Sequence, residues 1–130
     1  MDTKKYIQHW ITTADDDFKT MKILYDTRRY PWALFLGHIT LEKLLKAYFI
    51  SVHNKHAPPI HNLLRLAEKS GLELPAPYAD WLDNITLFNL NARYDDYNRE
   101  FYKLCTPEYT RLWIQRITEI RDWLLKKLNE

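Results

Sequence analysis

The chain has 130 residues, 46% of them hydrophobic and 28% charged, with a formal net charge of +2; this is enough apolar material for one cored domain, and too even a charge to announce a nucleic-acid binder. Only two glycines occur, Gly37 and Gly71, and no Asn-Gly or Asp-Gly pair, which excludes Gly-rich phosphate loops and dinucleotide fingerprints and speaks against a hairpin-rich β fold. The lone Cys105 excludes an internal disulfide or a Cys-built zinc site and fits a reducing cytoplasm; charges from Asp2 onward argue against a signal peptide, and no run of about 18 apolar residues is present to span a membrane.

The prolines Pro31, Pro58, Pro59, Pro75, Pro77 and Pro107 all lie between periodic segments. Proline lacks an N–H and clashes with the preceding turn, so the pattern predicts helices over 3–27, 31–53, 61–70, 77–91 and 107–129. Pro31, Pro77 and Pro107 suit the first helical position, Thr106 an N-cap, and Gly71 a left-handed cap after the third helix. The first helix carries the stripe Ile7, Trp10, Ile11, Ala14, Phe18, Met21 and Tyr25, as a core-facing amphipathic helix requires. Within it, Asp16 points away from the stripe, whereas Asp17 sits at its edge, placed to face Arg93 or Lys46.

The second helix is apolar over more than half of its circumference, so it is expected to be central. Inside that apolar arc His38, Glu42 and Lys46 form an i, i+4, i+8 ladder. Buried charge needs a partner. Two readings are open: a Glu42–Lys46 pair with helix-to-helix hydrogen bonds, or a polar site inside the bundle. His53, His56 and His61 follow at loose spacing, without a cysteine or an intervening carboxylate, and read as loop and capping residues rather than metal ligands.

The fourth helix presents Tyr78, Trp81, Leu82, Ile85 and Phe88, and the last presents Tyr109, Trp113, Ile117, Ile120, Trp123, Leu124 and Leu128. Arg116 and Lys127 fall on that last apolar face, where snorkelling accounts for them. Leu87, Leu90, Ile114 and Leu125 lie off the main stripes and imply a second apolar surface, hence a homodimer. The resulting expectation is an all-α fold, an antiparallel four-helix up-and-down bundle with an additional short helix, in one domain over 1–130. The segment from Asn91 to Cys105 is the least periodic, and a polar, aromatic-rich connection of this kind is more often functional than idle.

Several stretches resemble landmarks of one known family. Leu41-Glu42-Lys43-Leu44-Leu45-Lys46-Ala47 resembles the second-helix signature of the HEPN domain. His61-Asn62-Leu63 with Leu66, then Ala92-Arg93-Tyr94 with Asp96 and Tyr97, resemble its next two landmarks, and Asp17-Phe18 fits an acidic position in its first helix. The resemblance implies a small helical bundle that dimerises and is often paired with a minimal nucleotidyltransferase as toxin and antitoxin. Active members are metal-independent ribonucleases with an Arg followed four to six residues later by a His, in a cleft at the dimer interface. Here the Arg matches Arg93, and the three candidate positions hold Asn98, Arg99 and Glu100. Proton transfer near neutral pH favours imidazole, which these three lack.

The expectation is therefore a dimeric binding module without catalytic residues, metal or cofactor, whose partners are a nucleotide, RNA or a nucleotidyltransferase. Arg93 would grip a phosphate, with Tyr94, Asp96, Tyr97 and Lys46 beside it and Asp17, His38 and Glu42 in support. A brace in which Arg93 is paired with Glu42 or Asp17 is the structural alternative. A ribonuclease using Glu100 or His38 for proton transfer is the catalytic one.

Overall fold

The computed structural model describes residues 1–130, and every regular element in it is a helix. Four long helices, α1 (Thr3–Asp26), α2 (Tyr30–His53), α4 (Tyr78–Arg93) and α6 (Pro107–Leu128), make the bundle. Two short ones, α3 (Leu63–Lys69) and α5 (Glu100–Leu104), lie in its connections. The long helices alternate in direction. Thr3 at the start of α1 bonds Asn54 at the end of α2. Arg93 at the end of α4 lies over Phe35 near the start of α2. Tyr78 of α4 meets Trp123 of α6, while Phe88 meets Trp113.

The helix ends follow local chemistry. The Asn62 side chain accepts the Arg65 N–H at 3.0 Å, and Thr106 accepts that of Tyr109 at 3.2 Å, each satisfying a donor that a helix start leaves free. Pro107 is the first residue of α6, and Pro31 is the second of α2. Pro77 is not a first helical residue. It precedes α4 as the cap, because the Tyr78 N–H first closes a turn on the Pro75 carbonyl at 2.8 Å. After α3, the Gly71 N–H bonds the Glu68 carbonyl and the Leu72 N–H bonds that of Ala67, with Gly71 at φ 73°. This is the Schellman ending that favours glycine.

The helix α5 lies in the segment read as a connection. Its donors are taken by two carboxylates: Asp96 accepts the Glu100 N–H, and Asp95 accepts those of Phe101 and Tyr102, all at 2.9–3.0 Å. Buried Phe101 anchors this turn against Phe88, ring centres 5.8 Å apart. One turn holds too few apolar residues to show a period.

As its composition requires, α2 is the hub, packed by α1, α3, α4 and α6. Leu34, Leu41, Leu44, Leu45 and Ile50 are fully enclosed. Gly37 lets α6 approach: a Cβ there would stand 2.5 Å from Ile117 Cδ1 and 3.3 Å from the Met21 sulfur. Arg116 lies over the Trp81 and Trp113 rings at 4.8 and 4.7 Å and Lys127 over Trp123 at 5.6 Å, so both cations cover aromatic surface. No helix is long and apolar enough to cross a membrane.

Candidate functional site

One line along α2 organises the polar chemistry: Phe35, His38, Glu42 and Lys46, spaced so that they share a helix face. Glu42 is the centre. Its Oε2 pairs with Lys46 Nζ at 3.1 Å, and its Oε1 accepts the Nδ1–H of His61 at 2.9 Å. His38 Nε2 lies 3.9 Å from the same oxygen, and its N–H is donated instead to the His61 carbonyl at 2.9 Å. Lys46 also sits 5.6 Å from the centre of the Trp10 ring. The i, i+4 pair read from the sequence is therefore present, and His61, read as a capping residue, joins it from the start of α3.

His38 is fully enclosed, and its Nδ1 has no partner. Burial pushes its imidazole below the ordinary value of 6.5; the bond to the His61 carbonyl and the Glu42 charge oppose this and are outweighed, with the His61 and Arg93 charges adding to the lowering. In the unfolded chain His38 takes up a proton near pH 6.5. In the fold it does so only at lower pH. The unfolded state thus binds more protons in that window, so stability is full above it and falls as pH drops through it. The substitution His38→Gln keeps an N–H for the His61 carbonyl and removes the titration. It is expected to flatten the loss of stability between about pH 7 and about pH 5 in denaturant melts. An unchanged slope would assign that loss to other groups.

Arg93 stands apart from these acids. It is the last residue of α4, not part of the loop after it. Its Nε donates to the Asn89 carbonyl at 2.9 Å, and the guanidinium lies 5.7 Å from the Phe35 ring centre and 5.2 Å from that of Tyr94. No carboxylate pairs with it. The brace to Glu42 or Asp17 is thus corrected: Glu42 is taken by Lys46 and His61, and Asp17 pairs with Lys43 at 2.6 Å. Folding back onto Asn89 satisfies one donor and leaves the terminal nitrogens of Arg93 exposed.

The other expected site residues divide by place. Tyr94 is 69% exposed, and Tyr97 is fully exposed. Asp96 is spent on capping α5, and lines a cleft in which Asp95, Asp96 and Glu100 outnumber the one cation, Lys103. Arg93 does not line that cleft. Lys46 is eleven positions from Phe35 along α2, about 16 Å at 1.5 Å per residue, so it does not share the Arg93 surface. Asp17 of α1 is held by Lys43 of α2 and reaches neither Arg93 nor Lys46.

Asp95 itself is structural. Burial alone would raise its carboxyl, but backbone N–H groups of Tyr102, Phe101 and Asp96, with the Arg99 charge, outweigh it and hold the group below its usual range. Burial, and then the Asp95 charge, push the Cys105 thiol up to about 12, so it is an inert core residue. His53 donates to the Lys69 carbonyl at 2.8 Å, and His56 stands edge-on to Tyr6. No group of three or more His, Cys, Asp or Glu side chains is placed to hold a metal ion.

Two chemical features stand on this surface: a guanidinium without a carboxylate partner at one end, and a mostly exposed imidazole oriented by a carboxylate at the other. Comparison with family models gives a match described as HEPN domain, over residues 7–128. Comparison with curated proteins and with solved structures gives no match.

Proposed function

The chain belongs to the HEPN domain family, and from that premise we propose that it is a dimeric binding module that takes the phosphate of a nucleotide or nucleic acid at Arg93. The observation that carries this reading is the free guanidinium. A planar fork with no carboxylate partner, flanked by an exposed tyrosine ring, matches phosphate oxygens with parallel hydrogen bonds and offers a face for a base. Dimerisation is supported by Leu87 and Leu90, each more than half exposed, with Tyr94 continuing their line at i, i+3 and i+7. A second copy covering that line would bring two Arg93 residues to one seam.

The test is calorimetry with mononucleotides and short single-stranded RNA, on protein whose mass is checked by light scattering. Binding by the wild type, at least ten-fold weaker in Arg93→Ala, is the expected result, with a dimeric mass. If neither protein binds any of these ligands, docking to a nucleotidyltransferase, as in toxin–antitoxin pairs, takes the place of this reading.

A metal-independent ribonuclease is favoured by one observation, the carboxylate-held imidazole of His61. Its geometry is less favourable. His61 engages α2 at Glu42 and Arg93 engages it at Phe35, seven positions and about 10 Å apart along the axis, whereas general base and phosphate ligand act within hydrogen-bond reach of neighbouring atoms. RNA cleavage without metal that disappears in both His61→Ala and Arg93→Ala would replace the binding module with an enzyme.

A further inference from the structure

A second cleft, of about 340 Å³, opens between the α1–α2 turn and the α4–α5 connection. Three guanidiniums meet there, Arg28 and Arg29 from the turn and Arg99 from the connection, beside the rings of Trp32 and Tyr102. None of the three arginines forms an ion pair. The carboxylate on the wall, Asp95, is occupied by the N–H groups of Asp96, Phe101 and Tyr102; the Arg99 charge acts on it at longer range, without an ion pair. Trp32 is 41% exposed and Tyr102 53%. The Arg99 guanidinium lies 3.8 Å from the Tyr102 ring centre. Cationic forks and flat rings thus face the same space, with positive charge in excess.

The backbone adds an independent observation. Arg28 has φ 62° and Arg99 φ 55°, the left-handed region that a side chain with a Cβ disfavours. Moreover, α1 ends as α3 does: the Arg28 N–H bonds the Tyr25 carbonyl at 3.0 Å, and the Arg29 N–H bonds that of Leu24 at 2.8 Å. In α3 the equivalent position is Gly71. Local energetics favour glycine there, so arginine at position 28 works against its own turn. Of the three non-glycine residues with positive φ, Arg28, Asn54 and Arg99, the two arginines lie on this one cleft, where backbone cost is met by side chains that line it.

We infer that this cleft holds one nucleotide unit, with Arg28, Arg29 and Arg99 on the phosphate and Trp32 and Tyr102 against the base. Guanidinium forks suit phosphate oxygens. Aromatic faces accept any unpaired base, whereas a base inside a duplex has no free face to offer. The volume is at the low end of that of small-ligand sites, about 300–1,000 Å³, so it takes one unit rather than several. The inference rests on the reading of the domain as a nucleic-acid-phosphate binder and deepens it. Ala92, which precedes Arg93 in α4, lines the cleft, whereas Arg93 itself does not. A phosphate joined to a base is the shared chemistry, and it comes from either a free nucleotide or a single strand.

The test is fluorescence anisotropy of a labelled ten-residue oligoadenylate RNA, with AMP, inorganic phosphate and duplex RNA as competitors. The variants are Arg28→Gly with Arg99→Gly, Arg29→Gln, Trp32→Ala and Arg93→Ala. The double glycine variant is expected to bind at least ten-fold more weakly while melting at the same or a higher temperature, since it relieves both strained residues. Arg29→Gln, at an unstrained position, is expected to weaken binding too. Trp32→Ala is expected to weaken oligoadenylate and AMP but not inorganic phosphate. Competition by AMP at oligomer strength identifies a free-nucleotide site, and competition by the oligomer alone identifies a strand site; either supports the cleft. Unchanged affinity in the glycine and Gln variants, with loss in Arg93→Ala, would overturn the cleft and leave the Arg93 reading standing. The reverse pattern would remove Arg93 and keep the cleft. Duplex competing as well as single strand, or no binding by the wild type, would also overturn it.

Discussion

Replacing Glu42 with alanine is expected to destabilise the protein by about 3 kcal/mol, the low end of the loss seen when one partner of a buried ion pair is removed. The Glu42 and Lys46 side chains are 9% and 11% exposed, so the ammonium left behind has little water to turn to. Removal of Glu42 also strands the His61 Nδ1–H, and with it the tie between α2 and the start of α3. Chemical denaturation measures the loss. The partner substitution separates the causes: Glu42→Ala combined with Lys46→Met removes the orphaned charge and places a thioether near Trp10, where Lys46 now lies. Recovery of most of the stability in the double variant is expected, because well-packed apolar replacements of buried pairs are often neutral. A single-variant loss below about 1 kcal/mol would show that Lys46 reaches solvent freely.

The second large effect is expected at Phe88. Its ring is almost wholly buried and joins three elements, with Phe101 of α5 at 5.8 Å and Trp113 of α6 at 5.6 Å. Phe88→Ala is expected to cost about 3–5 kcal/mol, the transfer of the ring plus the cavity it leaves. The loss has a local signature as well. Phe101 is the buried residue of α5, so that turn should lose its amide protection first, and Tyr102 and Arg99 should lose their fixed place at the cleft. Hydrogen exchange at Phe101 and Tyr102 reads this directly. A loss of stability with α5 still protected would show that α5 is held by the Asp95 and Asp96 bonds rather than by packing.

The two effects bear on function differently. Glu42 supports the region around His61, whereas Phe88 supports the wall that carries Arg99 and Tyr102. Binding measured in folded Glu42→Ala protein should be close to that of the wild type if phosphate is held at Arg93 and the arginine cleft, since neither uses the Glu42 carboxylate.

Much of the fold could be read from the chain because its signals are local. Proline positions, the Asn62 and Thr106 caps and Gly71 each act through backbone groups a few residues away. The apolar breadth of the second helix likewise required its central place, since a helix so covered has no face to leave in water. The Glu42–Lys46 pair was legible for the same reason, being an i, i+4 contact on one helix. The turn at α5 was not. It rests on carboxylates reaching forward by four to seven residues and on a single phenylalanine, a pattern with no period. The Arg93 partners were misjudged because the sequence placed acids and guanidinium in the same neighbourhood without saying which cations would reach those acids first. Lys43 and Lys46 do, from the same helix face or the next.

By itself, then, the sequence determined the all-helical fold and the central helix, since these follow from spacing along the chain; membership of the HEPN family rests on the family-model match over residues 7–128. Tertiary structure alone decided that His61 meets Glu42 across 19 positions, that Arg93 bonds Asn89 rather than a carboxylate, and that Arg28 and Arg29 share a cleft with Arg99. The physical reason is range. Helix formation is written in neighbours three and four residues apart, whereas the placing of charge depends on which distant segments the packed core brings together.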